Sequence, residues 1–323
     1  MDAEEVVESI IRGLMFVAGV VGNNWLGIRS LPKALSALRT NEILFLNLAI
    51  SNLITNYFVD LPDTMADFAG SWFLGETYCG IFKFSADLSE TSSIFTTFFI
   101  SVFWHQKLVG SLKRGGGPVL MDRLRLVLCL LAGSWLVAVA FSVPHFFFIK
   151  VEEGNGSEAD CVDYFPNAVA SKTYEIIYLS LANALPLAGI VTISAQIVVT
   201  LLQNHKRIRG HGGELSMNKN AKQNGEKEGE VAGVEQAERG ARSQHQGAKA
   251  SSNVQIRAAK SVVAVASVFL VCWLTHMLLR ITNKIHTSPI VVEVASYIAA
   301  SYTCIIPYIF LHGVKKLTCS CKT

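Results

Sequence analysis

The chain is poor in charge. Only 16% of its 323 residues are Asp, Glu, Lys or Arg, against about 25% in soluble domains, while 51% are hydrophobic and the mean hydropathy is +0.38. An ordinary soluble globular protein is excluded on that ground. Cysteine is sparse, with seven in 323 residues, which excludes a disulfide-dense secreted scaffold. Neither a short repeat nor a glycine period runs through the chain, so coiled coil and collagen are excluded as well. The charge lacks imbalance: 28 Lys and Arg face 25 Asp and Glu, a net charge of +3, which offers nothing for a nucleic-acid partner. No His-Glu-x-x-His site, P-loop, Gly-x-Ser-x-Gly elbow or paired intramembrane aspartate motif is present, so the sequence reads as neither an enzyme nor a cofactor carrier.

The charges that do occur crowd between long apolar runs. A helix needs about 20 mostly apolar residues to cross a bilayer, and seven runs qualify: Ile10–Ile28, Ile43–Leu61, Ile81–Trp104, Leu124–Phe147, Tyr174–Leu202, Ala259–Ile281 and Ile290–Leu311. The third is the weakest, with Lys83, Asp87 and Glu90 in its first half; a re-entrant third segment, giving six spans, is the alternative. The pattern predicts an all-α membrane protein, a seven-transmembrane helix bundle. Seven spans without internal duplication disfavour an inverted-repeat transporter. A retinal-type light sensor needs a Schiff-base lysine in the last span, and 290–313 contains none.

Basic residues set the orientation. Arg29, Lys33 and Arg39 follow the first span, Lys107, Lys113, Arg114, Arg123 and Arg125 the third, and Lys206, Arg207 and Arg209 the fifth, whereas the opposite loops carry acids such as Asp63, Asp67, Glu152, Asp160 and Asp163. The N-terminus, residues 1–9, is expected outside, the seven-span body over 10–313, and the tail, 314–323, in the cytoplasm. Met1-Asp2-Ala3-Glu4-Glu5 is the reverse of a basic signal-peptide start, so the first span is expected to act as its own signal anchor. Residues 204–257 form a long cytoplasmic loop whose stretch Gly210 to Asn253 is too polar to offset its ordering entropy; it reads as disordered, either a regulatory segment or a tolerated insertion.

Cys79 at the outer end of span three and Cys161 in an outer loop both face the oxidising side, and a Cys79–Cys161 disulfide is expected. Closing that loop contributes about 4 kcal/mol in the chain-entropy picture. Cys319 and Cys321, beside Lys315, Lys316 and Lys322, are either palmitoylation sites or plain thiols. Asn155-Gly156-Ser157 is an N-glycosylation acceptor pattern in an outer loop.

Ionisable groups at membrane depth are costly and mark functional candidates. Asp87 and Glu90, at i and i+3, share a face of span three, and His276, Arg280, Glu175, Tyr178 and Glu293 cluster at the outer ends of spans five to seven. Two readings stand: a ligand pocket, or internal ion pairing of Asp87 or Glu90 with Arg280.

Seven spans with this cysteine pair resemble a G-protein-coupled receptor. Gly22-Asn23, Leu48-Ala49-Ile50-Ser51-Asn52, Trp72-Phe73-Leu74-Gly75, Trp135, Pro186, Phe269 with Cys272-Trp273-Leu274, and Pro307-Tyr308 resemble the family's motifs in successive spans and the first outer loop. Departures are Asn52 for the second-span aspartate, which speaks against a sodium site there, Phe103-Trp104-His105 for Asp-Arg-Tyr, Thr275 for the sixth-span proline and Ile306 for the asparagine before Pro307. Leu61 to Gly70 and Thr96 to Phe103 are similar to the type-1 vomeronasal receptors and their fish olfactory counterparts.

That resemblance implies a chemosensory receptor of the plasma membrane. It would bind a small odorant or pheromone and activate a heterotrimeric G protein, with the lipid bilayer its other partner. The pocket is expected between Lys83, Asp87, Glu90, Tyr178, His276, Arg280 and Tyr302, with Phe269 and Trp273 as the packing switch below it. Alternatives are a channel or transporter subunit moving an ion past Asp87 and Glu90, or a receptor of another small-molecule class such as the bitter-taste type.

Overall fold

The structure, a computed structural model, describes residues 3–32, 38–113, 117–153, 159–221, 255–275 and 289–313. Helix α1 covers Ala3–Ser30. Helices α2, Thr40–Thr55, and α3, Leu61–Ala69, are joined through a π-helical turn, Asn56–Asp60, into one span. Next come α4, Gly75–Lys113, and α5, Leu124–Ser142, which ends in a tight turn at Val143–Phe146. Helix α6, Ala168–Ile177, runs through a second π-helical turn, Tyr178–Ala184, into α7, Leu185–Ala221. Helix α8 covers Gln255–Thr275, and α9, Pro289–Ala300, and α10, Tyr302–Gly313, form a span bent by 41°.

Both π turns lie just before a proline, Pro62 and Pro186. A proline inside a helix removes one backbone hydrogen bond and drives its ring into the carbonyl four residues back; a wider turn relieves that conflict.

Helix α4 is the hub, packed against α2, α5 and α7. Its 39 residues form one continuous helix, about 58 Å long at 1.5 Å per residue, so the third segment crosses the whole bundle and the re-entrant alternative fails. Its weak hydropathy has a physical cause: protein surrounds it on most sides. Ser85, Ser89, Ser92, Ser93, Thr96, Thr97 and Ser101 are all buried, and small hydroxyls let helices approach closely while bonding across them. Ser89 meets Thr55 and Ser92 meets Ser51, each at 2.8 Å. Leu44, Phe45, Leu48, Ile94, Ile100, Phe103, Leu108, Ile190, Val262, Ile306 and Phe310 complete the apolar core.

Trp104, at the place of the family's arginine, is buried there edge-on to Phe103. The outer faces are apolar too, as at Leu14, Val17, Val21 and Ile28 on α1; apolar residues toward both the core and the surroundings are what a bilayer solvent requires.

Two sequence features gain a mechanism. Pro307 has no N–H for the Thr303 carbonyl, and Asn23 supplies one, its amide donating to that carbonyl at 3.0 Å. A Cβ on Gly22 would come within 2.9 Å of Pro307, so glycine there permits α1 and α10 to approach. Trp135 likewise donates its indole N–H to Asn47 at 2.9 Å, and Asn47 donates to Thr96 at 2.7 Å, joining α5, α2 and α4.

Outside the bundle, strands β1, Ile149–Glu153, and β2, Ala159–Asp163, form an antiparallel hairpin with Val151 opposite Cys161. Cys161 is disulfide-bonded to Cys79 at the start of α4. One boundary differs from expectation: α7 continues to Ala221, past the Gly210 at which order was expected to end, because extending an existing helix adds a bond per residue without a nucleation cost. The remainder of that loop, 222–254, lies outside the described residues.

Candidate ligand-binding site

Ionisable side chains in the half of the bundle that carries the hairpin form two separate groups. The first lies beneath the hairpin, among α4, α5 and α6. Each ring nitrogen of His145 meets a carboxylate oxygen, Nε2 with Asp87 at 2.8 Å and Nδ1 with Asp163 at 3.0 Å. The doubly protonated ring satisfies both with donors. Tyr174 donates its hydroxyl to Asp87 at 2.7 Å, and Lys83 stands 3.5 Å from the other oxygen of Asp163. Burial pushes the Asp163 carboxyl up, but the hydrogen bond from His145 and the charge of Lys83 outweigh it and hold that group below the ordinary carboxylate value.

The second group surrounds a cavity of about 380 Å³ between α1, the α2–α3 span, α4, α8 and the α9–α10 span. Arg12 pairs with Asp63 and, at 2.9 Å, with Asp67. Arg12, Asp60, Asp63 and Glu90 line the space, and Phe269, Trp273 and Tyr302 supply aromatic surface. The Phe269 and Tyr302 rings are 5.4 Å apart. A chain of amides runs down from the cavity: Asn56 donates to Asp60 at 2.7 Å, Asn23 to Asn56 at 3.2 Å, Asn52 to Asn23 at 3.0 Å, and Ser93 to Asn52 at 2.8 Å. Asn52 is therefore engaged by neutral partners.

Of the residues expected in one pocket, the structure brings Glu90 and Tyr302 to this cavity, together with Phe269 and Trp273. Tyr178 is fully buried and donates to Glu90 at 3.1 Å. Lys83 and Asp87 are not among the described residues of this cavity wall; they belong to the network around His145. Asp87 meets His145, which stands in the turn that follows α5; the expected pairing of Asp87 or Glu90 with Arg280 involves a residue outside the described ones. His276, Arg280, Asn155, Cys319 and Cys321 lie outside the described residues. Sequence reasoning missed Arg12, Asp60 and His145, although Arg12 and Asp60 stand inside the first two apolar runs, where any charged residue is a candidate.

A bundle of seven helical spans, closed on one side by a disulfide-bonded hairpin and holding a cavity in that same half, defines a seven-helix membrane receptor. The chain belongs to the rhodopsin family of seven-transmembrane receptors, whose family model matches residues 30–310. Rhodopsin from the crayfish Cambarus maculatus is 22% identical over 213 residues, 66% of this chain and 68% of the relative, and rhodopsin from Orconectes australis is 26% identical over 196 residues, 60% and 61% respectively. The fold is similar to that of squid rhodopsin, with a TM-score of 0.71 at 18% identity over 97% of this chain and 83% of that one.

These relatives are rhodopsins, and the finer vomeronasal-type assignment draws no support from them. Within the segment that suggested it, Gly70 ends α3 at φ 68°, a generic helix-end device.

Proposed function

We propose that this protein is a G-protein-coupled receptor for a small, diffusible external molecule of the odorant or pheromone kind. The observation that carries the reading is the outer-half cavity itself, whose described lining contains no lysine. The rhodopsin relatives raise the possibility of a retinal photopigment, but the residues present do not fit one. A retinal Schiff base consumes a lysine amine; 289–313 has none, and Lys83 is engaged with Asp163.

The ligand would occupy the cavity and act by binding one arrangement of the bundle better than another. Glu90 and Tyr302 are the expected contacts, and Phe269 and Trp273 the packing that relays occupancy to α8. Positive-inside flanks and the Cys79–Cys161 pair support a plasma-membrane protein with its N-terminus outside. The ion-pathway alternative is disfavoured because Asp87 is held by His145 and Tyr174.

The test is second-messenger output in cells co-expressing a promiscuous G protein, challenged with amines, acids and steroids in the dark, and separately with light after 11-cis-retinal. A compound-dependent signal abolished by a G-protein inhibitor is expected. A light-driven signal that requires retinal would overturn the reading.

A further inference from the structure

The cavity's electrostatics narrow the ligand class. Three carboxylates, Asp60, Asp63 and Glu90, line it against a single described cation, Arg12. That cation is already engaged, because Arg12 pairs with Asp63 and with Asp67 just beyond the wall. Asp60 is in a different position. Its side chain accepts one hydrogen bond, from the Asn56 amide to Oδ2, and no ion pair reaches it among the described residues. A charge at this depth is costly unless a partner of opposite sign and hydrogen bonds compensate it. The cavity also holds an unused donor: the Trp273 indole N–H is buried and without a hydrogen-bond partner among the described residues, on a wall otherwise made by the rings of Phe269 and Tyr302.

We infer that the cavity takes a small organic cation, a protonated amine with an apolar or aromatic body, whose ammonium sits on Asp60 and whose body lies against Phe269, Trp273 and Tyr302. This rests on the receptor reading above. The ammonium supplies the missing positive partner, aromatic faces attract a cation and its flanking methylenes, and the Trp273 N–H suits an ether, carbonyl or hydroxyl on the ligand. A cavity of about 380 Å³ falls at the small end of the usual range of about 300–1,000 Å³ for ligand sites. An organic acid would instead meet three carboxylates with Arg12 already committed.

The experiment uses the purified full-length protein in nanodiscs and three matched probe pairs: benzylamine and benzoate, phenethylamine and phenylacetate, cyclohexylamine and cyclohexanecarboxylate. Thermal unfolding is followed against probe concentration, since a ligand that binds only the native state raises Tm saturably. Amines are expected to raise Tm and their paired acids not to. Asp60→Asn, which keeps an acceptor for Asn56, should weaken the apparent amine affinity at least tenfold, and Asp60→Glu should restore most of it. Acids stabilising in place of amines would overturn the inference and point to a base such as Arg280. An amine effect unchanged in Asp60→Asn, or no effect from any amine at millimolar concentration, would also overturn it. Nucleotide exchange on an added heterotrimeric G protein is measured on the same samples. Amine-induced stabilisation without exchange would leave the cation site standing and remove the receptor reading, and exchange driven by acids would do the reverse.

Discussion

The two polar groups in the hairpin-side half of the bundle both combine acids with a base and behave differently. Beneath the hairpin, Asp87, His145, Tyr174, Asp163 and Lys83 spend their hydrogen bonds on one another. Around the cavity, Arg12 is paired while Asp60 faces open space with a single amide partner. An ionisable residue at membrane depth is thus no proof of a ligand contact: what separates a brace from a binding group is whether its partners are already within the protein. The brace ties α4, α6, the turn after α5 and the hairpin together; the cavity group borders α1, the α2–α3 span, α4, α8 and the α9–α10 span.

The largest expected effect comes from cutting the bond that pins the hairpin to α4. Cys79→Ala, or Cys161→Ala, should cost about 2–5 kcal/mol and sharply reduce the folded receptor at the cell surface, measured by flow cytometry of an N-terminal epitope. Breaking the brace itself comes next. His145→Ala leaves Asp87 without its facing partner, and removing one member of a buried pair typically costs about 3–5 kcal/mol, the lower part of that range applying here because Tyr174 remains; a drop in Tm with little change in agonist potency of the surviving receptor would mark it as structural. Asn23→Ala removes the donor to Thr303 and two amide neighbours and should cost about 1–3 kcal/mol, read from the same melting curves.

The smallest effect is a matter of pH. Asp163 has its pKa lowered in the folded protein, so its contribution is fully present above the unfolded value of about 3.9 and is lost as pH falls through the folded one. The stability difference between wild type and Asp163→Asn should therefore be flat from pH 7 to 5 and shrink only below about pH 4.

Much of this was legible in the chain. Apolar run length yields the seven spans, and compartment logic yields the Cys79–Cys161 bond, because both follow from local chemistry in a known solvent. The assembly of the site was less legible. Lys83, Asp87 and Glu90 are neighbours along α4, yet a helix 39 residues long presents successive side chains to different partners, and which one Asp87 meets depends on where the turn after α5 places His145. Arg12 and Asp60 went unnoticed because their runs still read as apolar on average. The vomeronasal-type likeness rested on two short stretches, Leu61 to Gly70 and Thr96 to Phe103, and stretches that short carry less than a match over most of the chain.

The most direct test of the central claim compares Asp87→Asn with Glu90→Gln at matched surface expression, using an agonist found in the small-molecule panel and G-protein activation as the readout. The account predicts that Glu90→Gln shifts agonist potency at least tenfold while Asp87→Asn lowers thermal stability with potency within a factor of about three. An equal or larger potency loss in Asp87→Asn, with Glu90→Gln silent, would place the ligand beneath the hairpin and contradict it.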